Sequence, residues 1–394
     1  MKNTAIYKDD TQMKKTESKK TKVLSIFGTR PEATKMVSPI KALKAHFAID
    51  SIVCVTAQHR ELLDGVLTPF GIVPDYDLDL MRDRQSLTEF TARALVGLEE
   101  IIKQAKPDWV LVHGDTATTL ASSLAAFYNK VKVAHVEAGL RSYDKYQPFP
   151  EEINRKVTTA IADLHFAPTE LACSQLLKEN VPADSILVTG NTGIDLMKLT
   201  VKPGYIFEEP AITEVLSGQE GKRIILMTAH RRENWGAPLE NITKAVLRLA
   251  DDFSDIIFVY PVHPNPVVKE TVQALSGHSR IVMTEPVSVF DMHNLMNLSY
   301  LVLTDSGGLQ EEAPALNKPV VVMRETTERP EGETAGTLEL AGTDEERIYE
   351  AVSSLLTDGD KYRRMAEAPN PFGDGEASGR IAEAMVNRSE VLTG

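Results

Sequence analysis

Short apolar blocks recur along this chain, and each hands over to a stretch with helical spacing. "KVLSIF" (22–27) precedes a helical pattern from Pro31 to Phe47, and "SIVCVT" (51–56) precedes one from Arg60 to Phe70. "WVLVH" (109–113) leads into a helix at 118–128, followed by "KVAHVEA" (132–138) and "LHFAPT" (164–169). The rhythm restarts at "RIILMTAH" (223–230) and runs through "IIFVYPVH" (256–263), "RIVMTE" (280–285), "LVLTDS" (301–306) and "PVVVM" (319–323). Strands that are apolar throughout, and not alternating, belong to parallel sheets covered by helices on both faces. Two doubly wound α/β halves would face each other across a cleft at the carboxyl ends of their strands, where open sheets of this kind bind ligands.

Length agrees with two halves, because 394 residues exceed what one hydrophobic core usually serves. A stretch rich in Gly, Pro and Glu at 201–221 reads as a boundary region. With 42% hydrophobic and 25% charged residues the composition is that of a soluble globular protein. No apolar run reaches the roughly 20 residues of a membrane span. Residues 1–20 are polar and lysine-rich, without a secretory apolar core, and read as a disordered tail. Cys54 and Cys173 lack zinc or disulfide spacing and read as reduced thiols of a cytoplasmic protein. A net charge of −13 with no basic stripe argues against nucleic acid, so the local gatherings of Arg and His mark where an anionic ligand would bind.

Those gatherings sit at strand exits. In "FGTRPEATK", Gly28 permits a turn, Pro31 suits a first helical position and Arg30 stands at the helix start, a natural diphosphate site. The sequence holds neither G-x-G-x-x-G nor a Walker loop, so no dinucleotide cofactor is expected. "HGDTATT" places Asp115 where a strand meets a helix, either as an N-cap or as a functional acid, with His113 beside it. "HVEAGLRS" carries Glu137 and Arg141, and "PFPEEINRK" carries Glu151 and Glu152 in a first helical turn. "TAHRRENWG" crowds His230, Arg231, Arg232 and Glu233 into one junction, and "PVHPNP" holds His263 between prolines. "TDSGGLQEEAPAL" offers bare N–H groups at Ser306, Gly307 and Gly308, with Glu311 and Glu312 one turn on, either able to accept from a ribose. His46, His165, His278 and His293 lie on helix or surface patterns without clustered partners, and no zinc spacing occurs, so no metal is expected. Cations from both halves and acids from the first half alone suit a nucleotide diphosphate whose sugar faces the acids. Carboxylates packed together would raise one another's pKa toward neutrality.

The ordered set "FGTRPEATKM", "HGDTATT", "HVEAGLRS", "PEEINR", "TAHRREN", "HPNP" and "TDSGGLQEEAP" resembles the bacterial non-hydrolysing UDP-N-acetylglucosamine 2-epimerases over residues 22 to about 335. The resemblance implies two Rossmann-like domains of glycosyltransferase-B-like architecture. An N-terminal domain would span 21–190 and a UDP-binding domain 191–375, with a helix at 376–394 returning to the first. It implies interconversion of UDP-GlcNAc and UDP-ManNAc through elimination of UDP to 2-acetamidoglucal, with no cofactor, in a homodimer serving cell-wall or capsule polymers. Position by position, Asp115, Glu137, Glu151 and His230 match the catalytic set. Arg30, Ser306, Gly307 and Glu312 match UDP contacts, and His263 a further ligand contact; Arg231 and Gly308 belong to the same substrate-binding group. Gln58 and Arg84 match a site at which UDP-GlcNAc activates. An epimerase for a 2,3-diacetamido sugar nucleotide, a glycosyltransferase of the same fold and a sugar-nucleotide sensor are the rival readings; a sensor would have no need of Asp115 and Glu137.

Overall fold

A computed structural model describes residues 20–56, 60–82, 85–218 and 221–390. The tail through residue 19, Gln58 and Arg84 lie outside the described residues. The first sheet comprises β1 (Thr21–Phe27), β2 (Ile49–Val55), β3 (Tyr76–Asp77), β4 (Trp109–His113), β5 (Lys132–Val136), β6 (Leu164–Ala167) and β7 (Ile186–Val188), in the order β3-β2-β1-β4-β5-β6-β7. The second comprises β8 (Arg223–Thr228), β9 (Ile256–Pro261), β10 (Ile281–Thr284), β11 (Leu301–Thr304), β12 (Val320–Val322) and β13 (Leu338–Leu340), in the order β10-β9-β8-β11-β12-β13. Every named pair in both sheets is parallel. Both therefore have the doubly wound α/β form, with the strand order reversing between β1 and β4 and between β8 and β11. Ligand crevices form at such reversals.

The long apolar blocks of the sequence are the central strands. Edge elements were less visible in it: β3 and β13 have only two and three residues, and β7 is largely half-exposed. The chain passes between sheets at Gly190–Asn191 and returns after Phe372. Asn191 N donates to Phe372 O at 2.8 Å. The two passing strands touch, since a Cβ on Gly373 would lie 3.0 Å from the Gly190 Cα, and both glycines have positive φ. The boundary therefore falls ahead of the Gly/Pro-rich stretch at 201–221. That stretch instead contributes Phe207, Ile212 and Val215 to the second half's core.

Helix Thr192–Thr200 straddles the junction. Leu196 packs in the first core, whereas Ile194 and Met197 pack in the second. Its Asp195 accepts from Ala377 N at 3.2 Å and Ser378 N at 2.6 Å, satisfying donors at the start of the last helix, Ala377–Glu390. That helix then buries Ile381, Ala382 and Met385 against the first core. Such burial contributes about 1.5–3 kcal/mol per large side chain.

Three histidines lie inside the first sheet. His113, His135 and His165 sit on β4, β5 and β6, all buried, with His135 and His165 in register. His165 thus departs from the helix-or-surface placement expected of it. Burial pushes His113 and His165 down to about 4, and holds His135 well below the usual range despite its contact with the Gly114 carbonyl at 2.7 Å. These rings are neutral when folded and protonate readily once unfolded, so their contribution is complete above about pH 6.5 and is lost as pH falls toward 4. Each adds at most about 1.4 kcal/mol per pH unit in that window. Denaturant titrations across it should give a falling stability, and His165→Gln should remove up to that much of the slope.

Candidate active site

In the second half, the reversal between β8 and β11 is tied by one carboxylate. Asp305, fully buried after β11, accepts from His230 N at 2.7 Å, Arg231 N at 2.8 Å and Asn234 Nδ2 at 3.2 Å. Its other oxygen stands 3.1 Å from His230 Nδ1. Burial would raise its pKa, but His230 and the backbone donors overcome that and hold it low. The His230 ring stacks on His263 at 5.5 Å and 11°. Helix Gly307–Glu312 begins beside them, with no side chain capping it at Ser306. Two guanidiniums converge over Gly307: a Cβ there would lie 3.3 Å from Arg329 Cζ and 3.5 Å from Arg231 Nη2. Arg231 Nε is buried without a partner among the described residues. The Ser306 N–H is not bare as expected, since it donates to Thr304 Oγ1 at 2.9 Å; the Gly307 and Gly308 N–H groups under two arginines form the anion cradle.

The first half repeats the device. Glu32, buried in helix Arg30–Ala45, accepts from Gly28 N at 3.0 Å, Thr29 N at 2.8 Å, Thr116 Oγ1 at 2.7 Å and Thr119 Oγ1 at 3.2 Å. It binds the exit of β1 to the exit of β4. Here burial outweighs the donors and the pKa rises. Arg30 begins this helix and is exposed.

Glu137, just past β5, lies at the centre. Its carboxylate pairs with Lys35, stands 3.3 Å from Arg155 Nη2 and 3.7 Å from His113 Nε2, and its backbone is left-handed at φ 61°. Burial pushes its pKa up, but Lys35, His113 and Arg155 together hold it well below the usual carboxylate range. Arg155 also binds Asp115 Oδ2 at 2.7 Å, while Asn154 Nδ2 holds the Asp115 carbonyl at 2.8 Å. Both come from helix Glu151–Ile161. At its start Glu152 accepts from Ser142 N and Tyr143 N, at 3.0 and 3.1 Å, whereas Glu151 Oε2 is buried with no partner among the described residues. Of the two adjacent acids, one anchors a loop and the other is left free. Lys35 also reaches across the cleft to within 4.0 Å of Glu311, which is bound by Asn191 and, at 2.7 Å, by Arg329 Nε.

Residues 41–386 match the family model described as UDP-N-acetylglucosamine 2-epimerase. A UDP-N-acetylglucosamine 2-epimerase of Bacillus subtilis is 58% identical over 93% of this chain and 96% of its own length. The crystal structure of a putative member from Listeria monocytogenes superposes with a TM-score of 0.89 at 47% identity, covering 95% of this chain and 98% of that one. The Neisseria meningitidis epimerase, solved bound to UDP-GlcNAc, superposes at 0.81 with 44% identity, covering 93% and 100%. The chain belongs to the UDP-N-acetylglucosamine 2-epimerase family.

Against this epimerase fold, several expectations change. Asp115 is not the N-cap; Thr116 caps the helix by accepting from Thr119 N at 3.2 Å, which leaves the Asp115 carboxylate to Arg155. Glu137 is not raised toward neutrality as a cluster of acids would suggest, because Lys35 and Arg155 beside it hold it low. Arg141 turns away from the cleft and grips Glu179 at 2.7 and 2.8 Å. Glu311 is consumed by Arg329 and Asn191, which leaves Glu312 as the freer of that pair. His293, expected to lack clustered partners, is buried between Thr200 Oγ1 at 2.7 Å and Glu312 at 3.7 Å. Lys35, Arg155 and Asp305 lie inside the motifs singled out above yet were not singled out themselves. Arg155 follows Glu151 by four residues, one helical turn, and that spacing could have marked it. Arg329 lies outside those motifs, and only folding brings it over Gly307. No group of metal-ligating side chains and no helix able to cross a membrane occurs among the described residues.

Arg155→Leu would leave Asp115 and Glu137 without their shared cation. Removing one partner from a buried ion pair costs about 3–5 kcal/mol, so chemical denaturation of this variant should show a loss of that size.

Proposed function

We propose that this chain interconverts UDP-N-acetylglucosamine and UDP-N-acetylmannosamine at C2 of the sugar. The observation that carries the reading is the facing of two chemistries across one cleft. Asp115 and Glu137, joined through Arg155 at strand exits of the first half, with Glu151 at the start of the same helix as Arg155, stand opposite the cradle of Arg231, Arg329 and the Gly307 and Gly308 amides. Family membership and a neighbour solved with UDP-GlcNAc agree with it.

C2 has no adjacent carbonyl, so direct removal of its proton would be very costly. Elimination avoids that cost. A carboxylate of the trio takes the C2 proton, the electron pair forms a C1=C2 double bond, and the C1–O bond breaks with its electrons leaving on UDP. The resulting 2-acetamidoglucal accepts a proton at the other face of C2, and UDP adds back at C1. The departing diphosphate gathers negative charge where two guanidiniums and helix-start amides already point, which stabilises that charge without reorganisation. His230, oriented by Asp305 and stacked on His263, faces the same anion, and Arg30, exposed at its helix start, is assigned to it from the opposite half. Glu137 is held ionised by Lys35 and Arg155, and so can oppose positive charge developing at C1. Glu312 takes the ribose.

Turnover in deuterated water should place deuterium at C2 of both epimers; epimer formed without C2 exchange would exclude elimination, and absence of epimer would exclude the activity. Asp115→Asn should lower kcat by at least about 100-fold with UDP affinity nearly unchanged, as expected for loss of a proton-transfer group. A parallel collapse of UDP binding would mean that Asp115 serves the fold.

A further inference from the structure

Glu312 ends helix Gly307–Glu312 and makes no side-chain hydrogen bond among the described residues. One of its oxygens faces His293 Nε2 at 3.7 Å, and the other lies 3.6 Å from where a Cβ on Gly193 would sit. His293 is 2% exposed, on helix Val289–Leu298, and its Nδ1 meets Thr200 Oγ1 at 2.7 Å. Thr200 is fully buried at the end of the helix that joins the two halves. Three elements distant in sequence thus converge on one imidazole.

The hydrogens decide its orientation. The Thr200 hydroxyl carries one, and carbonyl oxygens of Leu196 and Met197 lie within reach at 3.1 and 3.3 Å. If the hydroxyl donates to either carbonyl, Nδ1–H must donate to Thr200. A bare Nε2 would then face a carboxylate, and the arrangement is favourable only with a proton on Nε2 as well. If the hydroxyl donates to Nδ1, the neutral ring carries its proton on Nε2. In each satisfied arrangement Nε2 presents N–H toward Glu312.

We infer that His293 is a positioning residue for nucleotide recognition: anchored by Thr200, it aims the Glu312 carboxylate at the ribose hydroxyls. This rests on the reading of Glu312 as the ribose acceptor. At 3.7 Å the Nε2–H points toward the carboxylate without making a full hydrogen bond. It restricts the carboxylate while leaving its lone pairs for two hydroxyls. Preorganised acceptors discriminate strongly against ligands lacking the matching hydroxyl, because a buried polar group is then left unpaired.

The test compares binding of UDP and 2′,3′-dideoxy-UDP to the full chain by calorimetry. The unaltered protein should prefer UDP by at least about 10-fold, the range of a hydrogen bond to a charged group. His293→Asn keeps a group near Thr200 but withdraws the donor from Glu312, and should lose most of that preference. His293→Gln extends an amide N–H toward Glu312 and should retain it. In both variants kcat at saturating substrate should stay within about 3-fold of the original, because the sugar chemistry is untouched. Glu312→Gln separates the two claims. If it loses the preference while His293→Asn keeps it, the His293 inference is wrong and the ribose reading stands. If Glu312→Gln keeps the preference, both fall. Equal loss in His293→Asn and His293→Gln would reduce His293 to a packing role.

Discussion

Glu137 is a carboxylate taken out of water, and the arrangement around it follows from what that requires. An uncompensated buried charge costs several kcal/mol, so cations must surround it. They come from different parts of the chain: Lys35 from the first helix and Arg155 from helix Glu151–Ile161, with the neutral His113 ring of the neighbouring strand 3.7 Å away. Each cation has a second partner. Arg155 holds Asp115, and Lys35 reaches Glu311, which Arg329 secures on the far side of the cleft. Compensating one buried acid thus organises the other acids and joins the sugar side to the phosphate side. This also explains why Glu137 remains ionised where a cluster of acids alone would have driven it toward protonation.

Glu32 and Asp305 solve a related problem in parallel. Where strand order reverses, two loops diverge and leave backbone N–H groups without partners. Glu32 takes two of those donors from its own loop and holds the opposite loop through Thr116 and Thr119, whereas Asp305 takes two from the loop across from it and a third bond from Asn234 of that same loop. The crevice is kept open by bonds that use no ligand. The two acids titrate in opposite directions because only Asp305 has an imidazole, His230, beside it. The same contact that lowers the Asp305 pKa orients His230, so the loop tie also places a candidate site residue.

The fold was largely legible in the sequence. Apolar blocks marked the central strands, and polar residues after them marked the crevice, because a parallel strand can carry charge only at its end. The boundary was less legible: Gly and Pro between 201 and 221 suggested a linker, but Phe207, Ile212 and Val215 give that stretch a core to pack in, and the crossing fell to Gly190 and Gly373, which can approach closely. Edge strands of two or three residues leave no periodicity to read. Within the site, Asp115, Glu137, Glu151 and His230 stood out by residue type and position. Their cations did not, because a lysine or arginine on an amphipathic helix has the same local pattern whether it faces solvent or a buried acid.

By itself, then, the sequence determined the class of fold, the strand ends at which chemistry collects, and a motif order shared with one family of epimerases. Those are consequences of local hydrophobicity and turn chemistry, which act over a few residues. Tertiary structure decided which acid of the Glu151–Glu152 pair is free, that Asp115 faces Arg155 instead of capping a helix, that Arg329 joins Arg231 over Gly307, and that His293 stands between Thr200 and Glu312. Each of those outcomes depends on burial and on partners from about 10 to nearly 100 residues away, and charge compensation in a low-dielectric cleft exists only once the chain has closed around it.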